Sequence, residues 1–103
     1  MQTHVYFANY TEEDIELLCK KALKKWGAET QILMAIEELS ELIQVLVKSG
    51  RKINSSNREE IVSEIADVLL MIKQMQIVFD INDIAIASVK EEKLDRLKNY
   101  LEK

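Results

Sequence analysis

The residues of this chain best suited to chemistry are five acids in two runs. Glu37, Glu38 and Glu41 lie in QILMAIEELSELIQVLV (31–47), and Glu64 and Asp67 lie in EIVSEIADVLLMIKQM (60–75). Apolar residues recur through both runs at helical spacing. At about 100° per residue, Glu37 shares a polar arc with Ser40, Gln44 and Lys48. Glu38 instead falls among Met34, Leu42, Val45 and Gln31, inside the apolar face, and Glu41 sits at that face's edge. Glu64 is likewise set among Val68, Met71, Met75 and Val78, with Asp67 at the edge. An ionised carboxylate is costly to bury unless it is paired or binds a metal. Two helices, each turning acids at i and i+3 toward its packing side, therefore point to a hard divalent cation. Mg²⁺ or Mn²⁺ prefers carboxylate and water ligands, and Mg²⁺ commonly adds substrate phosphates. Spacing alone is a weak signal. EEDIE (12–16) has the same acid spacing as EELSE (37–41), but Glu13 and Glu16 point away from the Ile15/Leu18/Ala22 stripe.

Four helices have to position these acids. The first, over about residues 11–25, opens at Thr11, whose hydroxyl can cap; Glu12, Glu13 and Asp14 then complement the helix dipole. It is expected to bury Ile15, Leu18, Ala22 and Cys19. Trp26 and Gly27 end it, with Gly27 suited to a left-handed C-terminal position. Trp26 reads either as a packing residue or as a platform for a nucleobase. The second helix spans about 28–49, with Lys48 in its last turn and Gly50 as its stop. GRKINSSN (50–57) is a polar loop, in which Arg51 and Lys52 are solvated charges or phosphate contacts, and Ser56 or Asn57 can cap the third helix, about 57–79. DIND (80–83) makes a turn into the fourth, about 84–101, where Ile84, Ala87, Lys90, Leu94, Leu97 and Leu101 keep helical spacing. Lys90, Lys93 and Arg96 lie near one another there; they suit the dipole, and equally suit phosphate charge beside a metal. Residues 1–10 have no helical period and read as an extended arm, whose His4 has no second His or Cys beside it to make a metal site.

Composition sets the frame. The chain's 103 residues make one domain, and Pro is absent while Gly occurs twice. The sequence thus predicts an all-α fold: a four-helix bundle protomer assembling into a helical dimer or tetramer, because apolar residues such as Ala66, Leu70 and Ile77 widen the third helix's arc beyond what one bundle covers. The net charge of −4, without a basic face, speaks against nucleic-acid capture. The single cysteine fits a reducing cytoplasm, and no apolar run is long enough for a signal peptide or a membrane span, so no membrane partner is expected.

EELSE (37–41) followed by EIAD (64–67) matches an EExxE…ExxD pattern. In this the chain resembles the MazG-type all-α nucleoside triphosphate pyrophosphohydrolases, relatives of the dimeric dUTPases. KWGAETQILMAIEELSELIQ resembles the family's run from a Trp-Gly turn through a Gln into the acidic helix, and KEEKLDRL its basic final helix; the likeness covers about residues 25–97. The resemblance implies Mg²⁺-dependent attack of water on the α-phosphorus of a nucleoside triphosphate, giving monophosphate and pyrophosphate. It implies Glu38, Glu41, Glu64 and Asp67 as metal ligands, with Glu37 holding a second metal or the attacking water, and Glu37 or Glu38 as the catalytic carboxylate. It further implies Lys93, Arg96 and Lys90 on phosphate, and Gln31 and Trp26 near the base. Leu94 and Leu97 stand where an Asn of the family's Lys…Asn…Arg spacing would fall, which leaves base and sugar preference open. Two rivals use the same acids differently. A di-iron bundle would want Glu-x-x-His pairs, which are absent here. A non-catalytic oligomerisation module would pair the buried acids with Lys or Arg across an interface.

Overall fold

A computed structural model describes residues 9–50 and 57–103 of the chain. His4, Arg51, Lys52 and Ser56 lie outside the described residues. The described part is all-α, with four helices and no β-strand: α1 (Glu12–Trp26), α2 (Ala28–Ser49), α3 (Arg58–Val78) and α4 (Asp83–Leu101).

Local chemistry accounts for the helix ends. Thr11 and Asp14 form a reciprocal capping box: the Asp14 N–H donates to Thr11 Oγ1 at 3.1 Å, and the Thr11 N–H donates to Asp14 Oδ2 at 3.0 Å. Gly27 joins α1 to α2 without an intervening loop. Its N–H donates to the Leu23 carbonyl at 2.8 Å, closing α1, and its carbonyl accepts from the Gln31 N–H at 3.1 Å, opening α2. Serving both ends takes φ 90° and ψ 151°, a mirror-extended conformation rather than the left-handed helical one expected, and one that essentially only glycine adopts. Asn57 stands at the start of α3 without a side-chain cap, so the capping expectation is not met there. Asn82 caps α4, its Oδ1 accepting from the Ala85 N–H at 2.8 Å.

α2 and α3 pack side by side and antiparallel. Gln31 pairs with Gln74 near one end of the seam, and Lys48 reaches Glu60 at 4.0 Å near the other. Ala35 and Val45 of α2 are buried here with Val68 and Met71 of α3. α1 leans on the C-terminal half of α3 and buries Cys19 there. Leu18, expected in the core, is half exposed.

Helix count agrees with the sequence, but the packing corrects the four-helix bundle. α4 shares no packed face with α1, α2 or α3 among the described residues, and all of it except half-buried Ile86 is exposed. A short turn holds it away. The Ile81 N–H donates to the Gln76 carbonyl at 2.8 Å, and Gln76 Nε2 donates to the Ile81 carbonyl at 3.3 Å and to Asp83 Oδ1 at 2.9 Å. Asp80 takes φ 54°, the left-handed region that Asp tolerates. α4 consequently leaves Leu94, Leu97 and Leu101 exposed.

Candidate metal centre

The antiparallel register of α2 and α3 decides which acids meet. Glu38, Glu41 and Glu64 each bring a carboxylate oxygen within 4.8 Å of the others. Asp67 joins the group through Glu38: the two carboxyls hydrogen-bond when one holds a proton, as do Glu41 and Glu64. All four residues are half-buried. One oxygen on each of two of them, Glu38 Oε2 and Glu64 Oε2, is covered from solvent and has no hydrogen-bond partner. A covered carboxylate oxygen without a donor is rare in folded proteins, because its lost hydration is not replaced.

The electrostatics follow from this crowding. Loss of hydration, then repulsion from Glu41, Asp67 and Glu64, raises the Glu38 carboxyl above its ordinary value. Glu64 is raised by desolvation first, then by Glu41, Asp67 and Glu60. No Lys or Arg is ion-paired to any of the four among the described residues, where the ion pairs are Lys20–Glu16 and Lys48–Glu60. Among metal ions, a donor set of carboxylates without His or Cys suits Mg²⁺ or Mn²⁺.

The other residues singled out in the sequence fall in three places. Glu37 is exposed on the polar side of α2, next to the cluster in sequence but outside it, and its carbonyl accepts from Ser40 Oγ at 2.8 Å. Gln31 does not reach toward a ligand. It is only 4% exposed, and its Nε2 donates to Gln74 Oε1 at 2.7 Å, so its amide is committed to the α2–α3 seam two helical turns from Glu38. Its partner Gln74 was not singled out, since a lone Gln in an apolar run carries no signal until its partner is known. Trp26 is 55% exposed, with Lys25 Nζ over its ring at 5.5 Å from the centroid, so it is not a core residue of this chain. Lys90, Lys93 and Arg96 are exposed on α4, which one chain does not bring against the acids.

Comparison with protein-family models, with curated proteins and with solved structures finds no match to this chain. No helix among the described residues is long and apolar enough to cross a membrane.

Proposed function

We propose that this chain is a Mg²⁺-dependent nucleoside triphosphate pyrophosphohydrolase of MazG type, working as a homodimer or homotetramer in nucleotide-pool housekeeping. The observation that carries the reading is the group of three Glu oxygens within 4.8 Å of one another, two of whose residues hold a covered, unpaired oxygen.

Glu38, Glu41, Glu64 and Asp67 would hold the cation. Once bound, Mg²⁺ offsets charge on a triphosphate, polarises the phosphoryl group and acidifies a coordinated water. The chain's own residues do the rest. A carboxylate not engaged with the cation, Glu37 or Glu38, would orient the attacking water or take its proton. The water oxygen forms a bond to the α-phosphorus, and the bond from that phosphorus to its bridging oxygen breaks. Pyrophosphate leaves with the electron pair. Lys93 and Arg96, with Lys90, hold the departing phosphates; they reach the acids from a second copy, since α4 stands off its own body. Trp26 offers a face to the base.

The test is incubation with the eight common NTPs and dNTPs and Mg²⁺, resolving pyrophosphate from orthophosphate. Monophosphate with pyrophosphate is expected, and Glu38→Gln should abolish it while leaving the oligomer intact. Orthophosphate with diphosphate would overturn the α-phosphorus chemistry.

A second reading has its own observation. Large apolar residues are exposed along α2, α3 and α4, including Ile43, Leu69 and Leu94. A non-catalytic oligomerisation module would cover them and pair the acids with bases across the interface. Failure of any nucleotide to turn over with Mg²⁺ or Mn²⁺, in an oligomer that ignores both ions, would favour it.

A further inference from the structure

We propose that the buried Gln31–Gln74 pair is a positioning clasp: it fixes the register of α2 against α3 and so holds the four carboxylates at cation-binding separation before any cation arrives. The inference rests on the cation-binding part of the reading above and adds what prepares the site.

The seam is built in matched layers. Gln31 meets Gln74, Glu38 meets Asp67, and Glu41 meets Glu64. From Gln31 to Glu38 is seven residues forward along α2, and from Gln74 to Asp67 is seven residues back along α3; three more on each helix reach Glu41 and Glu64. Seven residues make two turns, about 10 Å of rise, so the three layers lie on one seam and share one register. Whatever fixes the Gln layer fixes the acid layers with it.

Among the described residues, the other contacts of the seam select that register weakly or oppose it. Ala35, Val45, Val68 and Met71 are apolar, and apolar contact is non-directional. Lys48 and Glu60 stand 4.0 Å apart with side chains 70% and 49% exposed, and such an exposed pair adds little. The acid layers set like charge against like charge, with no Lys or Arg ion-paired to them. Sliding α3 by two turns would instead set Glu64 against Lys48 and carry Asp67 away from Glu38.

The Gln pair differs in kind. Gln31 and Gln74 are 4% and 8% exposed, and Gln31 Nε2 donates to Gln74 Oε1 at 2.7 Å. That bond is directional and forms in one register. Any slide or splay of the helices leaves buried amide groups without partners, a cost that no apolar contact carries. A polar pair in an apolar seam thus specifies register, at some expense of stability. Gln31 and Gln74 act through the acids they align, two helical turns away, and touch neither cation nor substrate.

The test is Mn²⁺ binding at pH 7.5, read from the electron paramagnetic resonance signal of the free ion, beside metal-free melting by circular dichroism. Two variants are compared with the unmodified chain. Gln31→Leu/Gln74→Leu replaces the clasp by apolar side chains of similar size, so the packing is kept and the register is no longer specified. Val45→Ala opens a cavity at the other end of the seam and keeps the clasp. The double variant should bind Mn²⁺ about tenfold more weakly, yet melt above Val45→Ala, which should bind as the unmodified chain does. The two orders then cross, whereas a role in stability alone makes affinity follow melting temperature. Affinities that follow melting temperature, or a double variant that binds Mn²⁺ like the unmodified chain, would overturn the clasp and leave the cation reading standing. An unmodified chain that binds no Mn²⁺ would overturn both. A measurement without substitution covers a double variant that fails to fold. In the metal-free chain the Gln31 side-chain amide protons should exchange slowly with solvent by nuclear magnetic resonance. Fast exchange that slows only when Mg²⁺ is added would mean that the cation forms the pair, and would overturn the proposal.

Discussion

The crowding of Glu38, Glu41, Glu64 and Asp67 makes a linked prediction about metal, protons and stability. Glu38 and Glu64 have carboxyls raised above the ordinary 4.5 by desolvation and by their acidic neighbours. A carboxyl that binds its proton more tightly folded than unfolded favours the folded state at low pH. That contribution is fully present below the unfolded value and is lost as pH rises from about 4.5 through the raised folded value. The metal-free protein should therefore lose stability on going from pH 4.5 to 7.5 as far as these two groups decide it. A divalent cation reverses the sign, because it needs the deprotonated acids. Binding should release up to two protons, one from each raised carboxyl, so the logarithm of the apparent affinity should climb with pH at a slope approaching two and then flatten. At a cation concentration a hundred times the dissociation constant, binding adds about 2.7 kcal/mol to the folded state. For a chain of 103 residues, at roughly 4 °C per kcal/mol, the melting temperature should rise by roughly 10 °C. Scanning calorimetry at pH 5, 6, 7 and 8, with and without millimolar Mg²⁺ or Mn²⁺, reads every part of this. A melting temperature indifferent to both ions at pH 8 would refute the reasoning, and so would an affinity that does not change with pH.

Other parts of the structure give independent expectations. Gly27→Ala should destabilise by about 1–3 kcal/mol, since a Cβ meets nothing within 4 Å and the cost is the backbone conformation at φ 90°. Gly50→Ala, at helical φ −62°, carries no such backbone cost; its Cβ lies 3.2 Å from the Leu46 carbonyl oxygen, which has to give by a few tenths of an ångström, so the loss should be smaller than at Gly27, and chemical denaturation that ranked the two the other way would contradict the strain argument. Gln74→Leu leaves the buried Gln31 amide without its acceptor and should cost about 1–3 kcal/mol. Adding Gln31→Leu should restore much of it, and additive losses in the double-mutant cycle would mean that the pair is not coupled. Cys19 is 5% exposed, and burial raises its thiol despite Lys73 nearby, so a thiol reagent should label it far more slowly in native than in denatured protein; equal rates would show that the α1–α3 contact opens freely.

Much of this fold is written locally. The absence of Pro, the 3.6-residue apolar period and the Thr11–Asp14 and Gly27 signals dictate four helices, because capping and periodicity act over a few residues. The sequence also marked Glu38 and Glu64 as acids on faces that ought to be apolar. It pointed to their meeting at a cation without giving the register that brings them together. The contact required the antiparallel register of α2 against α3, a relation between residues 26 positions apart, and the same register turned Gln31 from a candidate ligand contact into half of a buried pair with Gln74. The placement of α4 was equally out of reach. Its periodicity says that one face wants covering, but only the hydrogen-bonded turn at Gln76–Asp83 aims that face away from its own body. Helix identity is a property of neighbouring residues, whereas the surroundings of a carboxylate, and what a helix lies against, depend on distant segments brought together by packing.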